Sequence, residues 1–515
     1  MIIDLSLVKA PNPQFYDFVI IGGGTAGIVL ASRIHKNQPE AKICILESGS
    51  FEAESDVNQL DNFESYGKID LSRSVARYLG GKSNLWDGRI ISLEESELSL
   101  WNIELAELKF YINEALRMLG IRQDLDCLHE KASQIFSSDP IAGCFSGKIL
   151  PSVAFFAPQI KRFNLTDISP ISLRSSSYID VFLHANVTSL DCKAGAINVV
   201  THVIVEDSKR SHDEGLEIEG SRFIIANGGV EAIKLLMNSK KIWAGIARNA
   251  GKNFSGHPRG IKGLLRLKKP IPCDSPILSQ VNFEGFPRME IGLKLSPDLL
   301  GDFPTSRVVL NPVRASNHNK FYYWMRPQMS YMKNYLLDHG VAQGGFLAGF
   351  FAFAISYLSR KLKVRLNEKT SYLYLRNYCG STLCPASQVK YMPPTESNAI
   401  GKVSVDWQIS DIDKEGLRRA QSIILDKLDL CLGCEILDQV DAFSWSLWGG
   451  SSHFMSSTVM ETGNGDGVVD KNQKIVGTKN IFVAGPSVFP TPSHANPMLM
   501  IVALSLRLGD FLSRL

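Results

Sequence analysis

Residues Asp17–Gly49, DFVIIGGGTAGIVLASRIHKNQPEAKICILESG, decide the fold. The apolar run Phe18–Ile21 reads as a buried strand and ends in Gly22-x-Gly24-x-x-Gly27. A helical run from Ile28 to Ile34 follows, and a second apolar strand, Ile43–Leu46, delivers Glu47. Each glycine answers a separate demand: Gly22 allows the tight turn, Gly24 lets the backbone approach a pyrophosphate, and Gly27 lets helix pack on strand. The pyrophosphate would sit at the helix N-terminus, where unpaired N–H groups and the helix dipole favour an anion. Glu47, 20 residues past Gly27, is placed to accept hydrogen bonds from a ribose. Strand, glycine loop, helix, strand and acid, in that order, mark a dinucleotide-binding unit.

The rest of the chain bounds what that unit serves. At 515 residues the protein is too long for one hydrophobic core, so two closely joined domains are expected. With 44% hydrophobic and 21% charged residues the composition is ordinary for a globular chain, and no internal repeat is visible. A formal net charge of +3 argues against a nucleic-acid or strongly acidic partner. The start, MIIDLSLVKAPNPQF, has neither a basic n-region nor an apolar h-region, so no signal peptide is expected. Nine Cys then fit a reducing, cytoplasmic compartment better than a disulfide framework. Cys431-x-x-Cys434 lies in IILDKLDLCLGCEIL, whose helix-like apolar spacing reads as packing rather than redox chemistry. No metal site is expected.

One segment is compositionally odd. Gly344–Leu358, GGFLAGFFAFAISYL, has no charge over fifteen residues and is followed by SRKLKVR. A membrane span needs about 20 apolar residues. A buried core helix is the plainer reading. A surface helix within 344–365, meeting a membrane surface or an electron-acceptor partner, is the second, and a lid over the substrate the third.

Further landmarks carry a resemblance. Arg77-Tyr-Leu-Gly80-Gly81-Lys-Ser83-Asn84-Leu85-Trp86-Asp-Gly88-Arg89 resembles the GGxS segment of the glucose–methanol–choline (GMC) flavin oxidoreductases, in which a glycine-rich loop runs along the FAD pyrophosphate to the isoalloxazine. Phe223-Ile-Ile-Ala-Asn227-Gly228-Gly229 looks like the family's second strand–glycine–helix junction. Gly251-Lys-Asn-Phe-Ser-Gly-His257-Pro258 resembles the segment that closes that region, and Val187 sits where the family's backbone meets adenine. Gly467-Val-Val-Asp470, Asn480 to Pro490 with Gly485 and Ser487, and Ala495-Asn496-Pro497 follow the family's closing signature in order. The wording is nearest to the sugar and polyol oxidoreductases.

The resemblance implies the chemistry. His453 stands at the family's catalytic histidine and Asn496 at the second member of the pair. Hydride transfer from an alcohol to flavin N5 leaves a proton, which a neutral imidazole can take. An amide at Asn496 can hold the substrate oxygen without competing for that proton. Proline favours the first helical position and Asn the N-cap, so a helix over Met498–Leu512 is expected to start at Asn496. Pro497 and Met498 at its N-terminus would face the flavin's pyrimidine edge, where the dipole stabilises developing negative charge. Leu85 occupies the position at which some members attach FAD through a histidine, so the FAD should be non-covalent. His494 is an alternative acid/base with a structural role preferred, and His257 reads as structural.

The resemblance thus implies an α/β fold: a discontinuous Rossmann-like FAD-binding domain of GMC type, from 1–258 and 444–515, with excursions into an antiparallel-sheet substrate domain at 259–443. Lys402–Trp407, an alternating strand, is expected to help line that sheet. The implied function is oxidation of a sugar, polyol or other small alcohol to a carbonyl, by a dehydrogenase in preference to an oxidase. A non-redox, lyase-like flavoprotein is the alternative.

Overall fold

The computed structural model describes residues 1–7, 15–58, 62–66, 75–145, 147–159, 175–192, 199–209, 215–239, 249–312, 369–392, 402–437, 449–450, 453–463 and 465–515. Gly344–Leu358 and its basic run lie outside them. Among the described residues no helix is long and apolar enough to cross a membrane.

The opening motif forms as its residue types dictate. Phe15–Ile21 is a strand, Thr25–Asn37 a helix and Ile43–Leu46 a strand. Phe18, Val19, Ile20, Ile43 and Ile45 are all buried, as expected of central parallel strands covered on both faces. The sheet runs Ile2–Asp4, Ile179–Leu183, Ile43–Leu46, Phe15–Ile21, Leu216–Ile225, then His202–Asp207 and Ala185–Asp191, with Ile481–Val483 also paired to Leu216–Ile225. Its registers position the site. Ile21 lies opposite both Leu46 and Ile225, and Ile225 opposite Val483, all in parallel pairs. The loops after these strands therefore gather at one edge, outside the carboxyl ends where α/β sheets bind ligands.

The C-terminal helix is Met498–Leu512, and twelve of its fifteen residues are buried. It packs on Thr25–Asn37, where Arg33 Nη2 donates to Asp510 Oδ2 at 2.7 Å. Asn496 does not cap it. Pro497 is the N-cap residue, already in helical conformation, and the helix has no side-chain cap. The Asn496 side chain instead donates through Nδ2 to the Arg89 carbonyl at 3.2 Å.

A nine-stranded antiparallel sheet faces this unit. It runs Cys434–Ile436, Pro258–Pro272, Lys369–Tyr378, Arg307–Pro312, Arg288–Leu295, Ile149–Phe156 and Arg89–Ile91, with two short strands attached. Two of its members thus come from the N-terminal quarter and third of the chain. Lys402–Asp406 is not among them. It pairs with Gln388–Met392 and, in parallel, with Asn62–Tyr66 in a separate three-stranded sheet. Its alternation is real, with Val403 and Val405 buried, but its partner strand is set by a contact remote in sequence.

The cysteine expectation also changes. Cys431 ends a helix, Asp411–Leu432, as its spacing predicts, yet it is disulfide-bonded to Cys144 rather than being one of nine thiols. Cys434 remains free.

Candidate active site

A cavity of about 480 Å³ lies where the strand ends of the parallel sheet meet the antiparallel sheet. Its lining begins with the first glycine loop. Gly22 has φ +109, and a Cβ there would come within 2.7 Å of the Ala226 carbonyl oxygen. A Cβ on Gly24 would meet nothing within 4 Å, because that residue borders the cavity. Gly27 stands behind the wall, where a Cβ would come within 2.1 Å of the Gly22 carbonyl oxygen. Two glycines thus permit the loop's shape, and the third leaves room for a ligand.

Glu47 reaches the cavity and braces the loop. Its Oε2 accepts from the Gly23 N–H at 2.9 Å and its Oε1 from the Gly49 N–H at 3.0 Å. Burial pushes its carboxyl upward, against these two hydrogen bonds. The ribose expected at this carboxylate would share it with the backbone.

The second glycine segment is laced to the first, Gly80 N–H donating to the Gly23 carbonyl at 2.8 Å. Gly80 and Gly81 have positive φ, and a short 3-10 turn follows over Gly81–Asn84. Ser83 Oγ donates to the Gly80 carbonyl at 2.7 Å. Asn84 Nδ2 donates to the Leu79 and Gly81 carbonyls. Gly81, Ser83 and Trp86 line the cavity, and Gly80 and Asn84 hold the turn from behind. Val187 and Gly228 border the cavity along the parallel sheet, and Gly485, Pro497 and Met498 border it from the C-terminal segment. Ser487 does not; its Oγ accepts from Thr458 Oγ1 at 2.8 Å and ties two loops together.

His453 and Asn496, distant in sequence, line the same cavity. Enclosure in the wall holds the His453 imidazole down to about 3, and the Arg259 and Lys82 cations reinforce the shift. It is therefore neutral at ordinary pH. Its Nδ1 lies 3.2 Å from His257 Nε2. His257, fully buried and also held neutral by burial, is thus in direct contact with the candidate base, beyond the purely structural place expected for it. His494 is buried and absent from the cavity lining. Among the described residues, Asn496 Oδ1 and Asn227 Oδ1 are buried polar atoms with no hydrogen-bond partner, and both residues line the cavity. Buried acceptors of this kind await a donor.

Several cavity residues escaped sequence reasoning. Arg77 forms an ion pair with Glu231 at 2.9 Å across the cavity wall. Burial draws the Lys82 ammonium down to about 7, opposed by Glu231, and Lys82 Nζ sits 3.7 Å from the Phe454 ring centroid. Arg259 follows the His257-Pro258 pair into its strand. Only that adjacency could have flagged it.

The fold and cavity define a class: a dinucleotide-type α/β unit whose site is closed by an antiparallel sheet. Residues 433–505 match the C-terminal family model described as GMC oxidoreductase. A glucose methanol choline oxidoreductase of Aspergillus terreus is 42% identical over 57 residues, 11% of this chain and 9% of that protein. Pyranose dehydrogenase 3 of Leucoagaricus meleagris is 34% identical over 80 residues, 14% of this chain and 13% of that protein. The matched stretches therefore span a small part of these curated relatives. A solved fungal aryl-alcohol oxidase shares the fold over 97% of this chain and 99% of its own, at 13% identity and TM-score 0.57. An FAD-dependent oxidoreductase from Chaetomium thermophilum does so over 97% and 99%, at 14% identity and TM-score 0.56. The C-terminal region is thus similar to GMC oxidoreductases, and the fold over nearly the whole chain is shared with flavin-dependent oxidoreductases.

Proposed function

We propose that the protein oxidises the CH–OH group of a small alcohol or sugar to a carbonyl, using non-covalently held FAD. The observation that carries this reading is the convergence of His453 and Asn496 on one cavity with the glycine loops and Glu47. The residues fit the cofactor: open space at Gly24 and Gly228, unpartnered Asn227 and Asn496 oxygens, and a helix N-terminus at Met498. When bound, FAD supplies the hydride acceptor.

The chain's own residues do the rest. The N-terminus of Thr25–Asn37 and the Gly22–Gly24 backbone favour the pyrophosphate. The Glu47 carboxylate serves the ribose, and the backbone around Val187 serves the adenine. Asn496 holds the alcohol oxygen. His453, neutral, takes the hydroxyl proton on Nε2, which requires Nδ1 to carry its hydrogen and donate to His257 Nε2. The hydroxyl proton thus ends on His453 as the carbon gives up its hydride. With Leu85 where a linking histidine would stand, the side chain offers no nucleophile for covalent attachment. Similarity to a pyranose dehydrogenase over 80 residues supports a sugar or polyol among the substrates, and dehydrogenase over oxidase behaviour.

The test is anaerobic titration of the purified yellow protein with a panel of sugars, polyols and aryl alcohols, followed by acid precipitation. Bleaching of the flavin band by one of them, and FAD recovered intact in the supernatant, are expected. Turnover of a cyanohydrin without bleaching would select the lyase-like alternative.

A further inference from the structure

The reaction end of the cavity carries more positive than negative charge. Arg259 lines the cavity beside His453 and, among the described residues, forms no ion pair. Arg89 lines it beside Asn496, whose amide donates to the Arg89 carbonyl. Behind Arg89, one carboxylate serves three guanidiniums. Glu290 lies 3.2 Å from Arg307, 3.1 Å from Arg376 and 3.7 Å from Arg89. Asp87 approaches Arg89 at 3.9 Å from an exposed position. Three guanidiniums therefore share two carboxylates, and Arg259 adds a fourth with none among the described residues.

The remaining acids of the lining are committed elsewhere. Glu47 takes the Gly23 and Gly49 N–H groups, and Glu231 is paired with Arg77. Arg259 is exposed, so its cation costs little unpaired, but a cavity lined by an excess of one charge attracts a ligand of the other. Guanidinium suits a planar, two-oxygen anion, which it can grip through two parallel hydrogen bonds.

We propose that the alcohol oxidised here carries a carboxylate, held by Arg259 with Arg89 at the end of the cavity that contains His453 and Asn496. The substrate class is a hydroxy-carboxylate, either a sugar acid or a hydroxymethyl-arene acid. The inference deepens the alcohol-oxidation reading and rests on it for the reaction, though not for the binding. A carboxylate at Arg259 would also offset one of the two cations that reinforce the burial-driven lowering of His453.

Two measurements on the holoprotein separate the inference from the reading beneath it. The first uses inert probes. Benzoate and benzamide are titrated against the visible spectrum of the bound flavin, with and without Arg259→Gln and Arg259→Lys. Benzoate should bind at least about tenfold more tightly than benzamide, with the preference lost in Arg259→Gln, partly kept in Arg259→Lys and weakened by added salt. Equal binding of the two probes, or an unchanged benzoate preference in Arg259→Gln, would overturn the proposal. So would loss of FAD rather than of benzoate from Arg259→Gln, since Arg259 would then be the cofactor's counter-ion. Tighter binding of phenyl phosphate than of benzoate would overturn the carboxylate assignment.

The second measurement is anaerobic flavin bleaching by 4-(hydroxymethyl)benzoate against 4-(hydroxymethyl)benzamide, and by gluconate against glucose. The acid of at least one pair should bleach the flavin faster at low concentration. Bleaching by neutral members alone would refute the inference and leave alcohol oxidation standing. If nothing bleaches while benzoate still shows its Arg259-dependent preference, the oxidation reading fails and the anion site survives.

Discussion

At the residue scale, the site is governed by groups whose charge is set by neighbours. His453 lies at about 3, so it stays neutral from alkaline pH down past the ordinary histidine range of 6.5. Flavin reduction should therefore show a pH plateau that continues below 6 and falls only as His453 is protonated in strong acid. A descending limb centred near 6.5 in stopped-flow rates would show that the imidazole is not held this low. Glu290 makes a second prediction. Its three arginines hold its carboxyl at about 2, against burial and below the usual 4.5. A depressed carboxylate gives stability that is present above pH 4.5 and lost as pH falls from there towards 2. Glu290→Gln leaves buried guanidiniums without their anion and should cost about 3–5 kcal/mol in urea denaturation at pH 7. The same variant should also flatten the acid side of the stability curve. None of this was visible in sequence. Glu290, Arg307 and Arg376 come from three strands, and nothing local in MEIGL or TSRVV says that they meet.

At the scale of elements, the sequence was legible wherever one short segment carried its own geometry. The Gly22–Gly27 loop, the Ile43–Leu46 strand and the Met498–Leu512 helix appear where residue types demanded them. The helix start differs by one residue because Asn496 gives its side-chain amide to the Arg89 carbonyl and leaves the cap to Pro497. The Lys402–Asp406 strand formed, but its sheet depended on a partner over three hundred residues away. The glycines allow a discriminating experiment. Gly24→Ala projects into open cavity and should leave the melting temperature of the FAD-free protein within a few degrees while weakening FAD binding at least tenfold. Gly27→Ala drives a methyl into the Gly22 carbonyl and should destabilise the FAD-free protein as well, by about 1–3 kcal/mol. Equal melting losses in the two variants would mean that the loop's two faces have been misassigned.

At the scale of the molecule, the closure of two sheets over one cavity depends on contacts across the chain. The Cys144–Cys431 disulfide has a sequence separation of 287 residues, which no spacing rule could have revealed. Closing so long a loop should stabilise by about 2–4 kcal/mol, read as the loss on Cys431→Ser in denaturant unfolding. A stability unchanged by that substitution, or nine titratable thiols in the denatured unreduced protein, would show that the bond does not form in solution. The convergence of His453, Asn496 and the glycine loops was legible only through the order of the family's motifs. His257 and Arg259 became part of the site only when the Pro258–Pro272 strand was seen to run beside the cavity. The account's central claim is that this cavity holds FAD with His453 as the base for alcohol oxidation. Its most direct test is anaerobic stopped-flow reduction of the flavin by the best alcohol, comparing the wild-type protein with His453→Ala. The account predicts that the variant keeps its FAD and is reduced about 10²–10⁴ times more slowly. Reduction at the wild-type rate by FAD-loaded His453→Ala would contradict it.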